Sequence, residues 1–481
     1  MEGNKKEGTF FVIKMVKLWA ERKSPINEDF EKDYLFRLFE KTKHNVLITG
    51  AAGTGKSTIL KKFCKFSKKK YVVLAPTGIA ATNVNGQTIH KFFKFGRSMV
   101  TKEDIDDVNG KDDRYKPKIY ERVETIIIDE ISMVRRDIFD AMDQILRKYQ
   151  LKDKPFGGVQ LILFGDMYQL PPVVTEEEGS ILCSVYDNNS NYFFNSNIYP
   201  ELSLIIIRLN HIYRQSDGEF IEILNRMQNK LLTKKDLGIL NKQVKPGKDN
   251  SDHVILCTKN NEANNYNSER LEKLPNPAVL YEAYSEGNIN IERDTPAIER
   301  LILKVGSRVM TTVNSTNPFN PYFNGSLGTV TRLSKDYIEV KLDSDKTVTV
   351  TEHTFNKIAH TFKNGRIVKE QVGIVIQLPI KLAWAMTIHK SQGQTLEKVF
   401  IDFKNKPWAH GQTYVAFSRV RSLTGLMLEV PLQMLDVRVD DDVREWELNS
   451  KKSEVNIDFN KFLYLDLNST MEDLIIFKIR T

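Results

Sequence analysis

Residues 50–57 read Gly-Ala-Ala-Gly-Thr-Gly-Lys-Ser, the spacing G-x-x-x-x-G-K-[ST]. They follow the apolar run Asn45–Thr49 and open a helical pattern that continues to Phe66. A glycine-rich turn in that setting aims successive backbone N–H groups, and the positive end of a helix, at phosphate oxygens. The expected phosphate site is Gly50, Ala51, Ala52, Gly53, Thr54, Gly55, Lys56, Ser57 and Thr58. Lys56 would reach the β- and γ-phosphates, and the Ser57 hydroxyl would ligate Mg²⁺. Kinases, GTPases, transporter ATPases and motors share such a loop. A second motif narrows the choice. Ile126-Ile127-Ile128-Asp129-Glu130 is a strand-like run ending in two carboxylates. Asp129 can hold the Mg²⁺ shell, and Glu130 can accept a proton from an attacking water, which favours hydrolysis over phosphotransfer. Gln169, in Gly165-Asp166-Met167-Tyr168-Gln169-Leu170-Pro171, is a neutral donor and acceptor placed to feel the γ-phosphate.

The elements that must position these groups alternate. Asn45–Thr49, Tyr71–Ala75, Glu124–Ile128 and Val159–Phe164 have strand composition, with helical segments between them. In the segment 28–43, Phe30, Tyr34 and Leu38 share one helical face, with Leu35 and Phe39 beside it. That alternation predicts α/β architecture, a parallel sheet with helices on its faces. Leu202–Leu209 and His253–Cys257 are further strand candidates and suggest a second α/β unit from 206 onward. Between 302 and 350 the pattern changes to short alternating strands separated by Gly306, Gly325, Gly328 and Asp343-Ser344-Asp345, which suits a small inserted β-barrel. Residues 96–122 carry many charges of both signs and read as an excursion from the first sheet.

Composition sets the outer bounds. The 481 residues hold 41% hydrophobic residues, enough for real cores, and 70 Lys+Arg against 62 Asp+Glu give a net charge of +8. That balance permits a polyanionic partner without demanding one. No apolar stretch approaches the ~18–20 residues a membrane-spanning helix needs. No apolar segment of secretory type follows the first residues. Cys64, Cys183 and Cys257 lack C-x-x-C spacing, which argues against a disulfide scaffold or structural zinc and fits a reducing, intracellular setting. The run Lys61–Lys70 reads as a solvated helix face.

Together these blocks resemble the PIF (petite integration frequency) family of superfamily 1B DNA helicases. Ala75-Pro76-Thr77-Gly78-Ile79-Ala80-Ala81 is similar to its motif Ia, with Gln87–Phe93 just beyond; Asp129–Met133 resembles motif II and Gly165–Pro171 motif III. Tyr213-Arg214-Gln215 resembles motif IV, with Tyr where Phe is usual; Thr387–Thr395 resembles motif V and Gly411–Arg419 motif VI. The blocks run in the family's order from 45 to about 428. The family's adenine-reading glutamine has no counterpart in Asn27–Lys32, which leaves base selectivity open.

The resemblance implies two RecA-like P-loop domains: 28–205, interrupted by a wedge at about 96–122, and 206–301 with 371–435. A Src-homology-3-like β-barrel is implied at 302–370, with a basic, flexible leader at 1–27 and an unassigned tail at 436–481. It implies an ATP- and Mg²⁺-dependent helicase moving 5′ to 3′ on single-stranded DNA and unwinding duplex or forked DNA, expected to be a monomer. Arg214 and Arg419, expected in the second domain, are the candidate arginine fingers, and Gly393 belongs to the nucleotide site by the same likeness. Pro76, Thr77, His90, Phe92, Phe93, Thr387, His389 and Lys390 match strand-contacting positions. For His90, Phe92 and Phe93 core packing is the competing reading. An RNA helicase, or a nucleic-acid-binding protein with a degenerate ATPase site, are the alternatives in function.

Overall fold

The computed structural model describes residues 14–17, 28–95, 100, 105, 118–452 and 454–455, less 187–189, 216, 248–249, 288, 314, 316–321, 323–324 and 364–365. An eight-stranded sheet forms the first domain, in the order Glu454–Val455, Lys14–Lys17, Leu204–Leu209, Asn45–Gly50, Gln160–Gly165, Thr125–Ile128, Tyr71–Ala75, Gln87–Thr88. Every ladder in it is parallel. A parallel sheet covered on both faces needs strands that are apolar on both sides, and the Ile/Val/Leu runs supply this. Alternate residues serve opposite cores. Leu47, Leu74, Ile126, Ile128, Leu163 and Ile206 face the helix Arg136–Gln150. Val46, Ile48, Val73, Ile127, Ile162 and Ile207 face the helices Glu28–Lys41 and Lys56–Phe66. In the first of these helices Leu35, Leu38 and Phe39 are buried, while the side chains of Phe30 and Tyr34 lie outside the described residues.

A four-stranded parallel sheet, Ala385–Thr387, Val254–Cys257, Val399–Ile401, Leu426–Leu428, centres the second domain. The helices Gly218–Gln228 and Gln412–Phe417 pack on one face, through Phe220, Ile223, Tyr414 and Phe417. Inserted between its strands is an all-antiparallel module. Its five-stranded sheet runs Thr347–Thr351, Tyr337–Leu342, Leu327–Leu333, Arg308–Thr311, Ile380–Leu382. Val279–Glu282 pairs with Arg300–Leu303, and His353–Lys363 pairs with Arg366–Gln377 as a long hairpin.

Three expected boundaries move. Leu204–Leu209 hydrogen-bonds to Asn45–Gly50, so this strand belongs to the first sheet and the chain leaves that sheet at 209 and not at 205. The antiparallel module begins at 279 and closes at 382, outside the expected 302–370, because its last strand pairs with Arg308–Thr311 and its first pairs with Arg300–Leu303, with Tyr281, Leu301 and Leu303 in the same core as the five-stranded sheet. Most of the expected wedge at 96–122 lies outside the described residues. Its last part, Lys118–Arg122, is a helix with Ile119 and Tyr120 buried in the first core.

The segment after 435 also has a place. Asp441–Lys452 is a helix that returns to the first domain. There Trp446 stacks on Phe194 (centroids 5.3 Å apart, planes at 19°) and donates to the Tyr199 hydroxyl at 2.7 Å. Glu447 pairs with Arg208. On the way, the Lys406 ammonium meets Asp436 at 3.1 Å and the Gly411 N–H donates to Arg438 O at 2.9 Å. The chain therefore crosses between the two sheets at 210–217 and again at 434–440. No helix among the described residues is long and apolar enough to cross a membrane.

Candidate active site

The strand Asn45–Gly50 turns through 51–55 into the helix Lys56–Phe66. Gly53 has φ +86°, and a Cβ there would lie 2.4 Å from Arg214 Cβ, so only glycine lets the next segment press onto the loop. The Tyr213 N–H donates to Gly53 O at 2.9 Å in the same contact. Lys56 Nζ donates to the carbonyls of Gly50 (2.6 Å) and Ala51 (3.0 Å). Thr54 is buried and its hydroxyl donates to Ala51 O at 2.9 Å, which fixes the loop from inside. Ser57 and Thr58 stand exposed on the first helical turn. Burial lowers the Lys56 pKa, against the pull of Asp166, Glu130 and Asp129 nearby.

Asp129 and Glu130 follow the strand Thr125–Ile128. Glu130 adopts φ +53°, a left-handed turn that a glutamate rarely takes. Gln392 Nε2, from the second domain, donates to Glu130 Oε2 at 3.1 Å. The Glu130 N–H donates to Asp129 Oδ1 at 3.1 Å. Burial raises both carboxyl groups; Glu130 raises Asp129 further, whereas Lys56 and Arg419 hold Glu130 back. A buried and a half-buried carboxylate side by side beside a phosphate loop are oxygen donors of the kind a hard divalent cation takes. Asp129 with the exposed Ser57 hydroxyl fits Mg²⁺ on that chemistry.

Asp166, at the end of the neighbouring strand, is the hub of the cluster. Its Oδ2 accepts from Gln169 Nε2 (3.1 Å), Gln228 Nε2 (3.4 Å) and the Tyr414 hydroxyl (3.2 Å). Gln169 Oε1 is buried without a hydrogen-bond partner. A buried amide oxygen left open at a reaction site is suited to receive a proton donor from a ligand or water.

The second domain meets this cluster with neutral and cationic groups. Arg214 sits on the 210–217 crossing, not within the second domain as expected, because the first sheet extends to 209. Its Nη1 donates to Ser418 O at 3.4 Å. Arg419 is 1% exposed. Its guanidinium donates to Val415 O (2.9 Å), Gln394 O (3.2 Å), Ser391 O (3.4 Å) and Ser418 Oγ (2.8 Å). Burial, with Arg214 next to it, lowers its pKa, while Glu130 and Asp166 lie close enough to oppose that. Gly411, at φ +70°, packs where a Cβ would sit 2.3 Å from Gln169 O. Gly393 faces Asn83, whose amide nitrogen is the nearest atom to its Cβ position at 4.0 Å.

The expected strand contacts divide. Pro76 and Thr77 are partly exposed after the Tyr71–Ala75 strand. His90 is partly exposed and meets Phe95 edge-on at 6.3 Å. Phe92 is 5% exposed and packs against Phe93 and Tyr120, so both phenylalanines are core residues and offer no ring to a base. The one-turn amphipathic spacing that placed Phe92 beside His90 also turns it inward. Thr387 is buried and caps the helix Ile388–Ser391, accepting from Lys390 N at 3.4 Å. His389 stacks on Trp408 (5.4 Å, 14°), whose ring is 52% exposed, and Lys390 is exposed beside it.

Sequence reasoning gave no role to Asp166, Gln228, Gln392, Trp408 or Tyr414. Asp166, Gln392 and Tyr414 lay inside the recognised blocks. The missing information was their partners, which come from the other domain.

The family model described as PIF1-like helicase matches residues 32–236, and one described as helicase matches 333–446. The ATP-dependent DNA helicase Pif1 of Bdellovibrio bacteriovorus is 32% identical over 396 residues, covering 81% of this chain and 84% of that protein. A crystal structure of Bacteroides sp Pif1 with ADP-AlF4 superposes with a TM-score of 0.80 at 35% identity, over 89% of this chain and 98% of the other. A Bacteroides Pif1 bound to single-stranded DNA gives a TM-score of 0.64 at 36% identity, over 88% and 96%.

Proposed function

The chain belongs to the PIF1-like helicase family, and from that premise we propose that it couples ATP hydrolysis to 5′-to-3′ movement along single-stranded DNA and thereby separates duplex strands. One observation carries the reading: the phosphate loop and acid pair of the first sheet meet Arg214, Gln392, Tyr414 and Arg419 in a single largely buried cluster.

The ATP phosphates lie on the N–H groups of 51–57, with Lys56 exchanging its loop carbonyls for phosphate oxygens. Ser57 and Asp129 would hold Mg²⁺, which would supply charge neutralisation for the phosphates when bound. Glu130 accepts the proton of the attacking water; the Gln392 bond fixes its carboxylate, and burial raises its basicity. Gln169 offers its open amide oxygen to that water, accepting one of its protons in a hydrogen bond. Arg214 and Arg419 balance charge that develops as the γ-phosphoryl group departs. Because these groups come from different parts of the chain, closing the cleft assembles the site and product release lets it part. The strand track combines Pro76, Thr77 and His90 on the first domain with His389, Lys390 and Trp408 on the second, cationic and aromatic groups of the kind that hold phosphates and stack bases. We read the antiparallel module as the barrel of Src-homology-3 type and the 96–117 excursion as the wedge at the fork.

The test is ATP turnover with and without single-stranded DNA, together with unwinding of duplexes carrying a 5′ or a 3′ tail. DNA-stimulated turnover and unwinding of the 5′-tailed duplex are expected. Equal stimulation by a matched RNA strand, preference for the 3′ tail, or no stimulation would overturn the reading.

A further inference from the structure

Tyr414 is the second-domain group that touches the phosphate loop itself. It lies on the helix Gln412–Phe417 and is 4% exposed. Its hydroxyl accepts the Ala52 N–H at 3.1 Å and donates to Asp166 Oδ2 at 3.2 Å. A phenol has one proton to give and lone pairs to receive, so both contacts are satisfied at once. Burial, and then Asp166, push the phenol far above its ordinary pKa, so the proton stays and the direction of both bonds is fixed.

Ala52 N–H belongs to the same glycine-rich turn whose donors suit phosphate oxygens. A charged acceptor forms a hydrogen bond roughly twice as strong as a neutral one. A phosphate in the loop therefore outcompetes the phenol for that N–H. Asp166 is held meanwhile by Gln169 and Gln228, so the hydroxyl keeps its other partner.

We propose that Tyr414 is a positioning residue whose hydroxyl, held in place by Asp166, keeps the Ala52 N–H until a phosphate takes that donor, so that the exchange is felt in the second domain at the helix that carries Tyr414. This rests on the nucleotide site described above and adds a sensor to it. Tyr414 contacts no reacting atom; it acts through the loop and Asp166.

The experiment uses the full chain and Tyr414→Phe, which keeps the ring and removes the oxygen. Without DNA, affinity for a fluorescent ADP analogue should rise about two- to tenfold, the span of one neutral hydrogen bond, because nothing competes for Ala52 N–H. The ratio of kcat with and without oligo-dT should fall by a similar factor. A residue needed only for packing would instead lower the melting temperature and weaken nucleotide binding. That result overturns the proposal, as does an unchanged affinity. Asp166→Asn combined with Tyr414→Phe should depress the DNA-stimulation ratio no further than Asp166→Asn alone; additive losses would show that Tyr414 does not work through Asp166. Should the phenylalanine variant fail to fold, 3-fluorotyrosine at 414 weakens the acceptor and preserves the shape. It should give the same rise in affinity in smaller measure, and a fall would overturn the proposal. A wild-type chain that binds no nucleotide would sink the nucleotide site itself. A wild-type chain that binds it, alongside an indifferent Tyr414→Phe, would sink only the role of Tyr414.

Discussion

The strands Asn45–Gly50, Thr125–Ile128 and Gln160–Gly165 of the first sheet end in a glycine-rich loop, an acid pair and Asp166. Ala385–Thr387 of the second sheet ends in Thr387, whose hydroxyl caps a one-turn helix and brings His389 and Lys390 to the surface. Both are parallel sheets with helices on their faces, and both place their polar residues at the same end of the strands. Their charges are opposite. The first collects carboxylates around one lysine; the second brings Arg419 and neutral amides, with Arg214 on the segment between them. Neither half is a complete phosphoryl-transfer site, since the carboxylates alone repel a triphosphate and the arginines alone bind it without a base.

This division can be broken most severely at the arginines. Arg419→Ala should lower DNA-stimulated kcat by about 10³–10⁵-fold, the range of an arginine finger. It should also lower the melting temperature, because carbonyls of Val415, Ser391 and Gln394 lose their donor. Arg214→Ala should lose kcat while melting close to wild type, since its guanidinium makes one long bond within the fold, 3.4 Å to Ser418 O. A loss of melting temperature with kcat intact in Arg419→Ala would make that residue a strut alone.

Glu130→Gln removes proton acceptance and keeps the shape. Turnover should drop about 10²–10⁴-fold while nucleotide affinity, read by fluorescent ADP, stays near wild type. Loss of nucleotide binding would move Glu130 from the chemistry to the architecture of the first half.

The second half's surface is sharpened by Trp408→Ala. Affinity for oligo-dT should weaken by about 1–3 kcal/mol, the value of one stacked base, with nucleotide affinity unchanged. Phe92→Leu, by contrast, should leave strand affinity unchanged and lower only the melting temperature, because its ring is in the core.

The smallest effect concerns the seam between the halves. His410 Nδ1 lies 2.8 Å from Asp440, which also accepts from Tyr192 at 3.1 Å. The Asp440 bond raises the His410 pKa against burial; burial pushes Asp440 up, but the His410 contact brings it below its usual value. The histidine contribution is thus full below its unfolded pKa of about 6.5 and fades as pH rises through the higher folded value. The aspartate contribution is full above its unfolded pKa of about 3.9 and fades as pH falls through the lower folded value. His410 is half-exposed, so solvent screening holds the stabilisation to no more than about 0.5 kcal/mol. His410→Gln should flatten the pH dependence of the unfolding free energy between pH 6 and 8 by up to about that amount. An unaltered profile would remove the pair from the seam's energetics.

Much of this was readable in the chain. The phosphate loop, the acid pair and the strand runs are contiguous, and their physics is local: a glycine turn, an apolar run, a charged end. Leu204–Leu209 has equally clear strand composition, but no residue in it says which sheet it joins. That is decided by ladder bonds to Asn45–Gly50 from far along the chain. Asp441–Lys452 is a charged helix whose docking depends on Trp446 finding Phe194 and Tyr199. His90 and Phe92 are neighbours in sequence with opposite surroundings, which a short helix cannot announce. Tyr414 and Gln392 were inside recognised blocks, yet their work lies in contacts with Ala52, Asp166 and Glu130 that only the closed tertiary arrangement creates.

The double passage of the chain between the sheets has a mechanical consequence. Two bodies joined at two separate points keep one easy rotation, about the line through the joints, and lose most of their freedom to slide or twist. Such a pair moves as a hinge. The first joint presses against the glycine-rich loop through Tyr213 and Arg214. The fulcrum therefore lies beside the fuel. For a given angle, atoms near a fulcrum travel least, so contacts of about 3 Å there survive a swing that would break them at the rim. The gearing lets the contact between Tyr213 and Gly53 at the joint persist while the second-domain groups farther out come together and part.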